Sequence, residues 1–501
     1  MTVVPEQTAA TAHAVETTKK PEVKRAVAVA RRIGEDIAAR GWPIGESIGS
    51  EQDLMERYGV SRAILREAVR LLEHQTVATM RRGPAGGLIV QEPDATPTLT
   101  AMTMFLEHIG TSYENIIDAR TILEPVAAAW AAEALTEDEI ADLRDALTAE
   151  HERAGPMDST DGSVKEDIVH AAIARASGNP VLEIFVHVLT QLTERYARVA
   201  PSVQRDERSE ILAAVRAAHA AIVDSILCGN PGQAQHRAEV HLHAMATWLV
   251  SKSGGVTTTR QARKRARTST PTERIPGSKL AEYVSLRIRD DIIGEDVAVG
   301  DFIGSETDLL ERYGVSRAVL REAIRLVEHH GIARMRRGPG GGLIATEPNP
   351  GASTESMALL LDYRRTTLAQ VWAVRAAIEL ECVVRVAQRS TDADVVAWIE
   401  ATRAANQQKL KPGSPILGKH DLHYTLAEIS GNPVLNMFLR ILSSLYRRHL
   451  PPDVNVDPST DMRRDLVRAH DAILDAIEAG DAGLARHRMA RHLSALGQWW
   501  L

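Results

Sequence analysis

Nineteen residues occur almost unchanged at two places in this chain: Glu56–His74 reads ERYGVSRAILREAVRLLEH and Glu311–His329 reads ERYGVSRAVLREAIRLVEH. Pairing Ser61 with Ser316 sets an offset of 255 (316 − 61). The same offset pairs Ser50 with Ser305, Arg66 with Arg321 and Arg82 with Arg337, without a gap from about Ile33 to Ile89. It also pairs Arg120 with Arg375 and Glu124 with Glu379. The SGNP of Ser177–Pro180 matches that of Ser430–Pro433 at 253 (430 − 177), so a short deletion lies between those points in the second copy. Each half is roughly 230 residues, far longer than a solenoid repeat. Whatever fold one half adopts, the other must adopt too: this is a duplicated two-domain protein.

The composition narrows that fold. Of the 501 residues 44% are hydrophobic and 25% charged, an ordinary globular balance, while only 4% are aromatic. Abundant Ala, Leu, Val and Ile favour packed helices over β-sandwiches. The net charge of −7 excludes a general polycation, so any surface for nucleic acid must be local. The two cysteines, Cys228 and Cys382, are far apart and at non-equivalent places, which leaves no disulfide framework or CxxC metal knuckle and fits a reducing cytoplasm. Each is expected to be a small buried apolar residue. No apolar run approaches the roughly 20 residues of a membrane span.

Residues 1–22, rich in Thr, Ala, Pro and Glu, read as a disordered tail without a signal-peptide core. The join of the halves, 251–278, is Gly, Ser, Thr and basic residues and reads as a flexible tether. Its Arg260, Arg263, Lys264, Arg265 and Arg267 could touch phosphates, or form a solvated linker. Between these segments the expected domains are 23–93 and 98–250 in the first half, 279–348 and 354–501 in the second.

In the first domain SEQDLMERY (50–58) places Leu54 and Met55 on a short amphipathic helix that Gly59 breaks. Ser61 can then cap a second helix, which makes a helix-turn-helix. On that helix Arg62, Arg66 and Arg70 fall within about 80° of one another, opposite the apolar Ile64, Leu65, Ala68, Val69, Leu71 and Leu72. A solvated basic face has the same pattern, but this stripe starts at the helix N-terminus, where recognition helices meet base edges. The second copy repeats it as Arg317, Arg321 and Arg325. MRRGPAGGLIV (80–90) and its counterpart MRRGPGGGLIA read as a hairpin, with Arg81 and Arg82 (Arg336 and Arg337) at its approach. A hairpin after a helix-turn-helix is a wing, whose basic tip lies along phosphates or the minor groove. The glycines do not form a phosphate loop, since GxxxxGK[ST] is absent.

These residues resemble the GntR family of bacterial transcription regulators, whose recognition helix ends in VSRxxVREALxxL and whose wing reads RxGxGGxxV. The FadR-type branch is the closer match, and the resemblance covers both halves. It implies DNA contacts by Arg62, Arg66, Arg82 and Gly83, and by Arg317, Arg321, Arg337 and Gly338. Many members carry an arginine two residues after the Ser of SExxL, where this chain has Gln52 and Thr307. That base contact is therefore in doubt, and the two heads are expected to prefer slightly different half-sites.

The second domain of each half is Ala-rich and helical. Asn115–Leu135 shows Arg120 and Glu124 at i,i+4, as do Arg375 and Glu379. Their spacing alone predicts a surface ion pair of about 0.3–0.5 kcal/mol. The resemblance implies more: an all-helical effector domain of six or seven helices, with this arginine facing the cavity and binding a carboxylate. Histidines recur at matched places, His219 and His241 in the first copy and His470 and His492 in the second, 22 apart in both (241 − 219 and 492 − 470). Glu166 and His170 share a helix face, so a carboxylate, with Asp167 as substitute, and three imidazoles could hold zinc, nickel or manganese. The resemblance agrees, through an Asp-x3-His, His, His set. Around His423 the second copy reads KHDLH: Lys419 holds the carboxylate position and Asp421 points to the wrong side of a regular helix. Weak or no metal binding is expected there.

The whole chain thus reads as mainly α: two winged helix-turn-helix domains, each followed by an all-helical effector-binding bundle. Its expected function is that of a cytoplasmic, ligand-responsive repressor for a small organic acid or acyl-type effector. It would act as an intramolecular pseudo-dimer, with or without further homodimerisation, on a pseudo-palindromic operator. The alternatives are a constitutive DNA-binding protein with vestigial cavities and, less well supported without an HExxH motif, a metal-dependent enzyme.

Overall fold

The computed structural model describes residues 19–81, 83, 86–152, 168–197, 205–252, 280–294, 297–329, 331–336, 338, 341–346, 350–411, 413–414, 421–449 and 459–500. The chain divides into two compact units between Thr98 and Leu99.

The first unit carries a helix, Lys19–Ala39, then Glu51–Tyr58 and Arg62–His74, then an antiparallel hairpin of β1 (Ala78–Arg81) and β2 (Gly87–Val90). Local chemistry sets each boundary. Ser50 and Asp53 form a reciprocal capping box, and Gly59 closes that helix at φ 63°, a conformation glycine adopts without strain. Ser61 caps the next helix through the Ile64 amide. Leu65, Ala68, Val69 and Leu72 then face inward and are buried. Tyr58 donates to Asp36 and lies under the Arg32 guanidinium, tying the turn back to the first helix. The wing must run close to Ser47 and Gly49, where a Cβ on Gly87 would collide with both.

The second unit holds the rest. Its winged helix comprises Leu280–Gly294, Glu306–Tyr313, Arg317–His329, and a sheet in which β5 (Gly342–Ala345) lies between β3 (Phe302–Gly304) and β4 (Ala333–Arg336). Asp291 and Arg287 repeat the tie to Tyr313. Among the described residues each C-terminal bundle of a half has seven helices. The first has Ala95–His108, Tyr113–Ala131, Glu137–Glu152, Ile168–Ala176, Pro180–Ala197, Arg205–Leu227 and Pro231–Lys252. The second has Gly351–Tyr363, Leu368–Gln388, Ala393–Lys409, Leu422–Ile429, Pro433–His449, Thr460–Glu478 and Ala482–Trp500. The mainly helical fold expected from composition is the one observed, and no helix among the described residues is long and apolar enough to cross a membrane.

The bundles meet through equivalent residues. Phe185 and Phe438 stack at 3.8 Å. The Asn179 amide donates to the Gln370 carbonyl, and its counterpart Asn432 donates to the Asn115 carbonyl. Such reciprocity is the mark of an isologous, two-fold contact. It gives the repeated SGNP motif a role, because its Asn caps one helix and reaches across the contact.

Three expectations need correction. Residues 19–22 belong to a helix, not to a tail, because Lys19–Ala39 continues from them into an amphipathic stretch; residues 1–18 lie outside the described ones. Residues 251 and 252 end the helix Pro231–Lys252, and the remainder of the expected tether lies outside the described residues. Cys228 is exposed at a helix C-terminus, unlike the buried Cys382.

Candidate functional site

The arginine stripe is exposed on both recognition helices, at Arg62, Arg66 and Arg70 and at Arg317, Arg321 and Arg325. It is not bare. Glu51 sits 2.7 Å from Arg66 and 3.9 Å from Arg62, and Glu306 sits 3.1 Å from Arg321 and 3.3 Å from Arg317. These first-turn carboxylates were not foreseen. Each of these ion pairs is exposed to solvent and therefore weak. Arg70 and Arg325 pair with Glu67 and Glu322 on their own helices. Arg81 and Arg336 are exposed at the ends of the first wing strands, and Gly83 and Gly338 take left-handed conformations at φ 114° and 101° in the wing turns. Arg82 and Arg337 lie outside the described residues.

The second set of candidate residues is buried. His170, His219 and His241 come from three helices, and their Nε2 atoms converge, 2.9 Å apart for His170 and His219, 3.1 Å for His219 and His241, and 3.2 Å for His170 and His241. In the second copy His423 and His492 are 2.9 Å apart and His470 and His492 3.1 Å. Two imidazole nitrogens each about 2.1 Å from one ion would be about 3.0 Å apart at octahedral angles and about 3.4 Å apart at tetrahedral ones.

The Nδ1 atoms decide what the Nε2 atoms carry. Nδ1 of His170 faces Glu124 at 2.5 Å and that of His219 faces Glu150 at 2.7 Å. A carboxylate only accepts, so each Nδ1 keeps its proton and each Nε2 presents a lone pair. Two lone pairs therefore point at each other across 2.9 Å in a buried site. That arrangement suits a cation between the rings and is unfavourable as a hydrogen-bond network alone. In the second copy Glu379 meets Nδ1 of His423 at 2.5 Å, and the Asn406 amide oxygen meets Nδ1 of His470 at 3.4 Å.

The arginine expected to face an effector lies beside this site, paired with Glu124. Arg120 is fully buried and binds Glu124 through Nε at 2.5 Å and Nη2 at 3.3 Å. The surface ion pair suggested by spacing is thus a buried relay, Arg120 to Glu124 to His170, with Arg375, Glu379 and His423 as its copy. Burial raises the Glu124 carboxyl, but the Arg120 guanidinium and the hydrogen bond donated by His170 outweigh it and hold it at about 2, and Glu379 is held at about 2 in the same way by Arg375 and His423. Burial pushes His492 down to about 3 and His470 well below its usual value.

Glu166 and Asp167 lie outside the described residues, as does Lys419. Asp421 is buried, as the N-cap of Leu422–Ile429: one oxygen accepts from the His423 amide and the other from Lys409 at 2.7 Å. Sequence reasoning named neither Lys409 nor Asn406 and Glu150. All three lie on the helix that follows the relay helix, where polar residues merely look solvated. The offset of 255 pairs Glu150 with Ala405 (405 − 150), not with Asn406, so the sequence carried no signal that the two hold equivalent histidines.

A family model described as "Bacterial regulatory proteins, gntR family" matches 25–85 and 280–342, and the FCD domain matches 115–244 and 370–495. The chain belongs to the GntR family. It is a DNA-binding transcription regulator with an FCD domain in each half. Among curated GntR-type relatives, LutR of Bacillus subtilis is 27% identical over 200 residues, 39% of this chain and 89% of that protein. The repressor NanR of Salmonella newport is 28% identical over 210 residues, 41% of this chain and 77% of that protein. Each thus corresponds to about one half of the chain. The solved GntR of Streptococcus agalactiae is 22% identical, covering 44% of this chain and 99% of that one, at a TM-score of 0.31.

Proposed function

We propose that this GntR-family chain is a metal-dependent, ligand-responsive regulator that unites both halves of a regulatory dimer. The observation that carries the reading is the convergence of imidazole lone pairs in each bundle, with every assigned Nδ1 committed elsewhere. His170, His219 and His241 would hold a divalent ion, with Glu166 or Asp167 as candidate carboxylates. Three imidazoles favour zinc or nickel over manganese. A bound ion would offer positive charge and open positions to a carboxylate or carbonyl oxygen, which suits an organic acid or acyl-type effector. Arg120 then acts through Glu124, orienting His170, rather than on the effector directly. The second bundle is the weaker metal site, because Asn406 replaces a carboxylate and Lys409 places a cation beside Asp421.

The recognition-helix arginines and the wing residues Arg81, Arg82, Gly83, Arg336, Arg337 and Gly338 would meet the operator, two half-sites per chain. The reciprocal contact between bundles supports the intramolecular pseudo-dimer. Thermal unfolding of chelator-stripped protein with zinc, nickel or manganese, with and without small organic acids, tests the reading. A regulator of this kind gains stability with ion and acid, and loses the gain in His219→Ala. No gain from any ion would favour the constitutive DNA-binding alternative.

A further inference from the structure

The second reading head is joined to the first sensory bundle by a buried ion cluster. Arg289, on the helix Leu280–Gly294, reaches Glu107 of the bundle helix Ala95–His108 at 3.2 Å. Its Nε and Nη2 also bind Asp290, at 2.8 and 2.6 Å. Arg289 and Glu107 are 2% and 1% exposed, so the pair has little water to screen it. Ser285, one turn before Arg289, is buried too, giving this helix a polar inner edge. Counterparts follow from the 255 offset, which also pairs Arg287 with Arg32 and Asp291 with Asp36, both in matching roles. By that offset Ser285 and Arg289 correspond to Ala30 and Gly34, and Glu107 to Asp362. The arginine of this pair thus has no sequence equivalent in the first half, where glycine stands at its position.

We propose that Arg289 and Glu107 are positioning residues that fix the second reading head on the first sensory bundle, so that this head reports the state of the opposite half's histidine site. The connection is short. Glu107 lies at the end of its helix, Thr111 ties the following turn back to the Leu106 carbonyl, and the capped helix Tyr113–Ala131 then carries Arg120 and Glu124. Duplication freed the two halves to diverge, and here the divergence makes the heads unequal. The proposal rests on the DNA-binding role of the family and on the ion-binding reading of the first histidine site.

The test uses the full chain and duplex DNA selected by it from a randomised pool, with two half-sites whose spacing is varied. The variants are Glu107→Arg, Arg289→Glu and the double exchange. Each single variant should tolerate spacings that the wild type rejects, lower affinity for the preferred spacing by roughly tenfold, and speed amide exchange across 280–294. The exchange should restore all three, and the wild type's zinc-dependent protection of 280–294 should vanish in the singles. Should the singles not fold, Glu107→Leu with Arg289→Leu leaves no charge between the two and should show the same relaxed spacing. Unchanged spacing preference and exchange in the variants would overturn the anchor. If the wild type selects no DNA at all, the reading-head assignment fails instead, and exchange across 280–294 alone decides the anchor.

Discussion

Phe185 and Phe438 stack ring on ring, 3.8 Å between centroids and 10° from parallel, and each is the other's counterpart in the duplication (438 − 185 = 253). A residue that meets its own equivalent lies on the two-fold axis of an isologous contact. Both rings are fully buried. Phe185→Ala should cost about 3–5 kcal/mol in denaturant unfolding, with Phe185→Leu well below that. A loss under about 1 kcal/mol would mean that the bundles are not held together at this point.

The histidine sites predict a graded response to metal. At a free ion concentration of about 100 times Kd, one occupied site adds about 2.7 kcal/mol to stability. Glu150→Gln should keep the fold while weakening ion binding in the first half by about 10–100-fold, since it supports the His219 ring without touching the ion. Titration against a chromophoric chelator separates the two sites. Equal affinity in both halves would contradict the role assigned to Asn406 and Lys409.

Acid should destabilise the metal-free protein in two stages. His492 titrates near 6.5 when unfolded and at about 3 when folded, so between those values the unfolded chain binds a proton that the folded one refuses. Stability is then fully present above pH 6.5 and falls as the pH drops. Below pH 4.5 Glu124 and Glu379 add to the loss, since their folded values are about 2. Urea unfolding from pH 7.5 to 4 should follow this course, and His492→Gln should flatten the upper stage by up to about 1.4 kcal/mol per pH unit. A wild-type curve flat from pH 6.5 to 5 would rule out buried neutral histidines.

If the arginine stripe meets the operator, Glu51 and Glu306, which pair with Arg66 and Arg321, would compete with DNA for it. Glu51→Ala should tighten binding to duplex DNA several-fold at low salt. Arg66→Ala should weaken it and reduce the salt slope by about one. Fluorescence anisotropy across a salt series measures both. A Glu51→Ala variant that binds more weakly would show that Glu51 orders the arginines rather than competing for them.

The duplication, the helix-turn-helix, the wing and the mainly helical bundles were all legible, because capping serines, glycine turns and a 3.6-residue apolar period are local signals. Ser50, Gly59, Ser61 and the Leu65 face are where pattern and structure coincide. The three histidines were legible only because both copies keep them. Their carboxylate and amide partners were not, since Glu150 and Asn406 come from another helix and depend on packing that no local period encodes. Arg289 was hidden for the same reason: on a helix face it looks solvated until its partner, 182 residues earlier (289 − 107), is brought against it.

The central claim is that one chain brings both reading heads to one site. The mass of the complex with a selected two-half-site duplex, measured by sedimentation or native mass spectrometry, tests it directly. The account predicts one 54.7 kDa chain per duplex, with Arg66→Ala and Arg321→Ala each weakening binding. Two chains per duplex, or indifference to Arg321→Ala, would contradict it.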